Sequence, residues 1–128
     1  MCRYKSRDQL PPRASPEHVQ AILNAINSRQ FRVIDVASRC AEDTWHIRIP
    51  VFVDAIRAHL VSGYLLYLKQ VLNPPDHYIL FEANVRLDPS SLDEADDVYV
   101  EIRLSKHGVY AYTGNAHPHF DTPRLPKL

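Results

Sequence analysis

The feature that most constrains this chain is a change in the spacing of its apolar residues near the middle. Apolar and polar side chains alternate from residue 77 to 87 and again from 98 to 105. A period of two places alternate side chains on opposite faces of a β-strand. Before residue 63, apolar residues instead recur at the spacing of amphipathic helices. The sequence therefore predicts helices first and strands after them.

Three helices are predicted in the first half of the chain, over about residues 16–28, 33–41 and 50–61. Ser15 and Pro16 have the character of an N-terminal cap and a first-turn proline. The prediction of the second helix is based on a helical pattern of apolar residues, although residues 31–36 alone also fit a strand. Gly63 stands where a C-terminal cap of the third helix belongs.

Four strands are predicted after the helices, over about residues 64–71, 77–87, 98–105 and 109–113. The short turn at residues 106–108 makes the last two a hairpin. Such a sheet needs a cover over its apolar face, which the helices supply. The predicted fold class is α+β, with two to three N-terminal helices packed on one face of a roughly four-stranded, mostly antiparallel sheet.

The length of 128 residues fits one domain, which we place at residues 15–116. Residues 1–14 are basic around Pro11-Pro12 and predict a flexible arm, and residues 117–128 predict an irregular tail with prolines and histidines. No long apolar run or secretory signal is present, and Cys2 and Cys40 are expected to be free thiols. These features predict a cytoplasmic protein without a membrane partner.

Fifteen basic and fifteen acidic residues give zero formal charge, so any contact with nucleic acid must come from a local patch. We expect no direct binding to DNA. The polar face of the predicted sheet is the surface that could provide such a patch. It carries Tyr67, Lys69, Tyr78, Glu82, Arg86, Tyr99, Glu101, Arg103, Tyr110 and Tyr112.

Those residue types are the parts of a metal-independent ribonuclease. Tyrosines stack on bases, cationic side chains hold phosphate, and glutamates can take a proton from a ribose 2′-hydroxyl. The same types are also common on any solvated antiparallel sheet, where cross-strand Glu-Arg pairs are weakly stabilising. Composition alone therefore leaves a functional and a purely structural interpretation open.

Several segments follow one another in a distinctive order: an opening helix, a basic segment at 31–41, Tyr67-Leu68-Lys69, Val98–Ile102 and Val109–Thr113. Over roughly residues 17 to 114, this order resembles the MqsR-like branch of the RelE-type mRNA-interferase toxins. The resemblance implies a RelE-like fold and an endoribonuclease that cleaves mRNA, free or on the ribosome. It also implies a cognate antitoxin protein as partner.

The resemblance also implies where the site residues lie. Lys69 matches the lysine of the family and Tyr99 its tyrosine. Glu82 lies where the family has a glutamine, and Thr113-Gly114-Asn115 replaces a late basic motif. The late basic role is then left to His117 or Arg103.

In the implied reaction Glu82 or Glu101 is the general base, and Tyr99 orients the nucleotide. Lys69 and Arg103 hold the scissile phosphate. The product carries a 2′,3′-cyclic phosphate, and no metal or cofactor is needed. The residues expected to bind substrate are Tyr67, Arg86, Tyr110, Tyr112 and His117.

Two other functions remain open. A non-catalytic protein-binding module could use the same face and the edge strand, and the zero net charge and the missing basic motif favour it. An enzyme acting on a small metabolite ranks last, because the chain has no phosphate loop, dinucleotide fingerprint or nucleophile elbow. His117, His119 and Asp121 alternate as metal ligands would, but in a tail expected to be mobile, so no metal site is predicted.

Overall fold

The computed structural model describes residues 10–33, 48–71, 78–87, 97–105, 111–118 and 125–127, with residues 111–118 described by their backbone alone. Two helices lie in these ranges, α1 at Pro16–Asn27 and α2 at Ile49–Val61. Both had been predicted almost residue for residue. Neither has the length and apolar character that crossing a membrane would require.

Local chemistry explains where the helices begin and end. The Ser15 side chain caps α1 by accepting a hydrogen bond from the backbone N–H of His18, at 3.2 Å. Pro50 occupies the first turn of α2. Gly63 follows α2 with a φ of 79°, a left-handed conformation that favours glycine. Ser15 and Gly63 thus have the roles that the sequence predicts for them.

Within the described residues, five strands form one sheet in the order β1-β5-β4-β3-β2. Their bounds are β1 Phe31–Val33, β2 Tyr67–Val71, β3 Tyr78–Arg86, β4 Asp97–Ser105 and β5 Ala111–Pro118. β1 pairs with β5 in parallel, and all other pairs are antiparallel. The predicted α+β class and the mostly antiparallel sheet are confirmed.

Two predictions about the elements need correction. Residue 33, where the predicted second helix begins, belongs to the strand Phe31–Val33. The rest of that predicted helix lies outside the described ranges and stays a prediction. The sheet consequently has one strand more than predicted. β1 is held in the sheet by its pairing with β5, which lies some 80 residues later in the chain. No local sequence pattern reveals such a pairing.

The apolar face of the sheet packs on the helices, as predicted. Phe81, Val100 and Ile102 are fully buried against Ile22 of α1 and Phe52 of α2. Each such side chain contributes roughly 1.5–3 kcal/mol through its removal from water. This cluster is the main core of the molecule.

The opposite face is covered too, by the two ends of the described chain. The Leu68 N–H donates to the Pro12 carbonyl at 2.7 Å, so residues expected in a flexible arm lie along β2. Leu125 is buried against Tyr67 and Tyr99 on the same face. Part of the expected tail is therefore packed on the sheet, and β5 also extends two residues into that range.

Candidate functional site

Four of the predicted catalytic residues meet on this second face. Lys69 comes from β2, Glu82 from β3, and Tyr99 and Glu101 from β4. Glu82 and Glu101 are directly opposite in the β3-β4 register, and Tyr99 precedes Glu101 by two residues on the same face. We call these four residues the Tyr99 cluster.

The Tyr99 hydroxyl lies at the centre of the cluster. It is 2.8 Å from Oε2 of Glu82 and 2.8 Å from Oε2 of Glu101. A hydroxyl has one hydrogen, so it donates to one of these carboxylates at a time. The two glutamates therefore compete for the same donor.

Lys69 supplies the positive charge. Its Nζ donates to the Tyr99 hydroxyl at 3.1 Å and forms a hydrogen-bonded ion pair with Glu101. The same Nζ lies 3.8 Å from Oε2 of Glu82 and 5.6 Å from the centre of the Tyr99 ring. One ammonium group thus interacts with two carboxylates.

A β-bulge brings Lys69 to the cluster. In the β2-β3 register Leu68 faces Phe81 and Gln70 faces Leu80, which leaves Lys69 as the extra residue. Bulges bend a strand locally and redirect a side chain, and they are frequent beside active sites. The side chain of Lys69 can thereby reach across the sheet to β4.

The cluster is buried except at one point. Glu82, Tyr99 and Glu101 are 4%, 5% and 8% exposed, whereas the side chain of Lys69 is 41% exposed. The face that we expected to be open is therefore closed at its centre. Within the cluster, Lys69 is the residue that is in contact with solvent.

Burial and the two carboxylates fix the state of Tyr99. Burial raises the pKa of its hydroxyl above the ordinary value of 10.0, and the hydrogen bonds to Glu82 and Glu101 raise it further. The phenol consequently stays protonated at any physiological pH. Tyr99 can donate and orient, but it cannot serve as the base.

The chemistry available at this place is proton transfer beside a fixed cation. A carboxylate can accept a proton, the ammonium can stabilise a developing anion, and the phenol can hold a ligand oxygen. Within the described ranges, no three His, Cys, Asp or Glu side chains converge on a point that would hold a metal ion.

The other predicted site residues lie around the cluster or away from it. Arg103 is two residues beyond Glu101 on the same face of β4 and is half-buried. Tyr67 is buried beside Tyr99 and donates to the carbonyl of Pro126 at 2.8 Å. Arg86 is held by Asp97, with Nε 2.5 Å from Oδ1, near the far end of β3.

The remaining predictions concern β5 and the chain around it. The backbone register places Tyr112 opposite Arg103 and His117 opposite Tyr99. Tyr110, His119 and Asp121 lie outside the described residues. Asp97, which lies just before the predicted strand at 98–105, is the buried first residue of β4.

Sequence reasoning missed a second group of residues on this face. Asn84 accepts a hydrogen bond from the backbone N–H of Leu125 at 2.8 Å, and Asp97 binds the ammonium of Lys127 at 3.0 Å. Asn84 did follow the predicted alternation, but nothing in the pattern indicated that residues 125–127 would dock beside it. The partners lie about 40 and 30 residues apart in the chain.

The chain matches no protein-family model, and neither a curated protein nor a solved structure is significantly similar to it. The chemistry of the site is therefore the ground on which a function has to be argued.

Proposed function

We propose that this chain is a metal-independent endoribonuclease of the RelE and MqsR-like toxin type, which cleaves mRNA at the Tyr99 cluster. The contact between Lys69, Tyr99 and Glu101 carries the proposal. The Lys69 ammonium is bonded both to the Tyr99 hydroxyl, at 3.1 Å, and to the Glu101 carboxylate. A base, a cation and a hydroxyl donor at hydrogen-bond distance can move protons while holding a phosphate.

In the proposed reaction Glu101 takes the proton of a ribose 2′-hydroxyl, and the 2′-oxygen attacks the adjacent phosphorus. The bond from phosphorus to the 5′-oxygen of the next nucleotide breaks, and that oxygen takes a proton from Lys69. The proton on Glu101 then passes to Lys69, its hydrogen-bond partner. The products are a 2′,3′-cyclic phosphate and a 5′-hydroxyl, and the protons balance without a metal.

We base the remaining roles on the unequal exposure of the cluster members. Lys69 is the exposed member and would meet the phosphate first, with Arg103 on the same face as a second cation. Tyr99 holds its proton and would orient the phosphate oxygen. Glu82 would then act as a fixed negative neighbour that attracts the Lys69 ammonium.

The test is cleavage of a purified RNA by the purified chain in the presence of a chelator. The expected products carry 2′,3′-cyclic phosphate ends. Glu101→Gln removes the base and should lower the rate by roughly 10² to 10⁴-fold. Lys69→Met should lower it at least as far, because it removes both the acid and the phosphate contact.

Asp54→Asn and Arg57→Met are matched controls, because these residues form an exposed ion pair on α2, away from the cluster. They make the same charge changes and should leave cleavage unchanged. In a host cell, induced expression of the chain should stop growth and degrade RNA unless the cognate antitoxin is present, and Glu101→Gln should relieve both effects. Intact RNA with the wild-type chain, or unchanged cleavage by Glu101→Gln, would contradict the proposal.

A second candidate function is a protein-binding module without catalysis. The observation that favours it is the docking of two extended segments on this sheet, residues 12–14 along β2 and 125–127 on the face. Strand edges and sheet faces that hold extended chain in one molecule can hold it from another. RNA that stays intact in the chelator assay would favour this candidate.

A further inference from the structure

Three consecutive residues, Leu125, Pro126 and Lys127, lie in a groove of the sheet as a bound peptide would. The Leu125 side chain is buried between Tyr67 and Tyr99. The main chain of this segment makes three hydrogen bonds. The N–H of Leu125 donates to Asn84, and the carbonyl of Pro126 accepts from the Tyr67 hydroxyl. The carbonyl of Lys127 accepts from the N–H of Leu65.

The groove contains polar groups that are costly to bury without a partner. Asn84 and Asp97 are each 1% exposed, and the side chain of Asp97 is fully buried. An unsatisfied buried polar group costs about 1–3 kcal/mol, and more for a charge. Asp97 also binds Arg86, but a face that only held an apolar tail would not need the buried amide of Asn84.

Residues 125–127 bond to only one of the two polar groups of the Asn84 side chain. Its Oδ1 accepts from Leu125, while its Nδ2 is buried and has no hydrogen-bond partner among the described residues. An asparagine amide presents a donor beside an acceptor, which matches the C=O and N–H groups of an extended peptide. A different peptide could therefore make a hydrogen bond that residues 125–127 leave unmade.

Charge complementarity defines the third position of the ligand. Lys127 Nζ lies 3.0 Å from Oδ2 of Asp97, and it also lies 5.9 Å from the centre of the Tyr64 ring. A basic side chain is favoured there because it pairs with a buried carboxylate and faces an aromatic ring.

We infer that the groove formed by Tyr67, Asn84, Asp97 and Tyr99 is a binding site for an extended segment of a partner protein. The segment has a large aliphatic residue, a proline and a lysine or arginine in succession. Residues 125–127 occupy the groove when the partner is absent and are displaced when it binds. The groove shares Tyr99 with the Tyr99 cluster, but peptide binding and RNA cleavage are measured separately, so either proposal can fail without the other.

The test uses the full chain with its own segment weakened, because a tethered segment competes at a high effective concentration. Leu125→Ala combined with Lys127→Ala empties the aliphatic and basic positions. A fluorescent peptide with the sequence of residues 122–128, Thr-Pro-Arg-Leu-Pro-Lys-Leu, is titrated and followed by anisotropy. We expect it to bind this double variant at least tenfold more tightly than the wild-type chain.

Two changes test whether the peptide uses the groove. Tyr67→Phe in the double variant removes only the hydroxyl that bonds the Pro126 carbonyl, and should weaken binding by roughly two- to tenfold. A peptide with glutamate in place of its lysine should not bind, because it faces Asp97. Asp54→Asn, on the other side of the sheet, should leave binding unchanged.

Failure of the peptide to bind the double variant, with circular dichroism showing a folded chain, would overturn the inference. If the double variant does not fold, Lys127→Ala alone, which removes only the ion pair of the chain's own segment with Asp97, should bind the peptide more tightly than the wild-type chain does, and equal binding would overturn the inference. Concentration-dependent dimers of the wild-type chain that dissociate in the double variant would also overturn it. The occupant would then be the same segment of a second copy.

Discussion

At the scale of single residues, the Tyr99 cluster holds two carboxylates, one ammonium and one phenolic hydrogen. Glu82 and Glu101 face each other across neighbouring strands, where like charges are destabilising. Lys69 is closer to Glu101 than to Glu82, so Glu82 receives less of the available positive charge. Such an arrangement is expected where proton transfer matters more than stability.

Glu82→Gln should therefore stabilise the fold. The amide removes one negative charge and can donate to the Tyr99 oxygen, which leaves the phenolic hydrogen for Glu101. We expect the free energy of unfolding to rise by about 0.5–1 kcal/mol in urea denaturation. Glu101→Gln is the matched control and should destabilise, because it breaks the hydrogen-bonded pair with Lys69. Equal effects of the two substitutions would contradict this view of the cluster.

His59 makes a second prediction at this scale, about pH. Its ring is 4% exposed, and its Nε2 donates to the Leu65 carbonyl at 2.9 Å. Burial lowers the pKa of His59 below its ordinary value of 6.5. The unfolded chain then binds a proton near pH 6.5 and the folded chain only at lower pH. The contribution of neutral His59 to the free energy of unfolding is therefore fully present above pH 6.5 and decreases as the pH falls below 6.5.

His59→Gln keeps a donor for Leu65 and cannot be protonated in this range. The free energy of unfolding of the wild-type chain should fall more steeply between pH 7 and pH 5 than that of the variant, by up to about 1.4 kcal/mol per pH unit. Urea denaturation at pH 7, 6 and 5 measures both slopes. Parallel slopes would show that His59 does not cause the loss.

At the scale of elements, the sequence predicted what depends on neighbouring residues. The caps at Ser15 and Gly63 set the helix bounds, and the alternation in β3 and β4 placed Glu82, Tyr99 and Glu101 on one face. The meeting of these residues with Lys69 could be foreseen for that reason. The bulge at Lys69 was not predicted, because it depends on the register between two strands.

Elements that depend on distant partners were left open or not predicted. The sequence offers a strand at residues 31–36 only as an alternative to a helix, because the three residues of β1 are defined by their pairing with β5. The burial of the polar face depends in part on Leu125, which lies 58 residues from Tyr67 in the sequence. A period of two shows which residues share a face, but it does not show whether another segment covers that face.

At the scale of the whole molecule, one sheet separates two apolar clusters of unequal size. The main core joins both helices to Phe81 and Ile102, whereas the cluster on the other face consists of Tyr67, Tyr99 and Leu125 with two partly buried leucines. Regions with fewer buried apolar contacts open at lower free energy. The cover of the Tyr99 cluster should therefore open more often than the core.

Leu125→Asp should release this cover while the core stays folded. The N–H of Leu65 is bonded to the Lys127 carbonyl, so its hydrogen exchange reports directly on residues 125–127. We expect that amide to exchange at least tenfold faster in the variant, while the amides of Phe81 and Ile102 exchange at nearly unchanged rates. Val51→Asp is the control, because Val51 is half-exposed in the first turn of α2, where an acid is tolerated. Equal acceleration at Leu65 and Phe81 would mean that both faces unfold as one cooperative unit, and that the cover cannot open while the sheet remains intact.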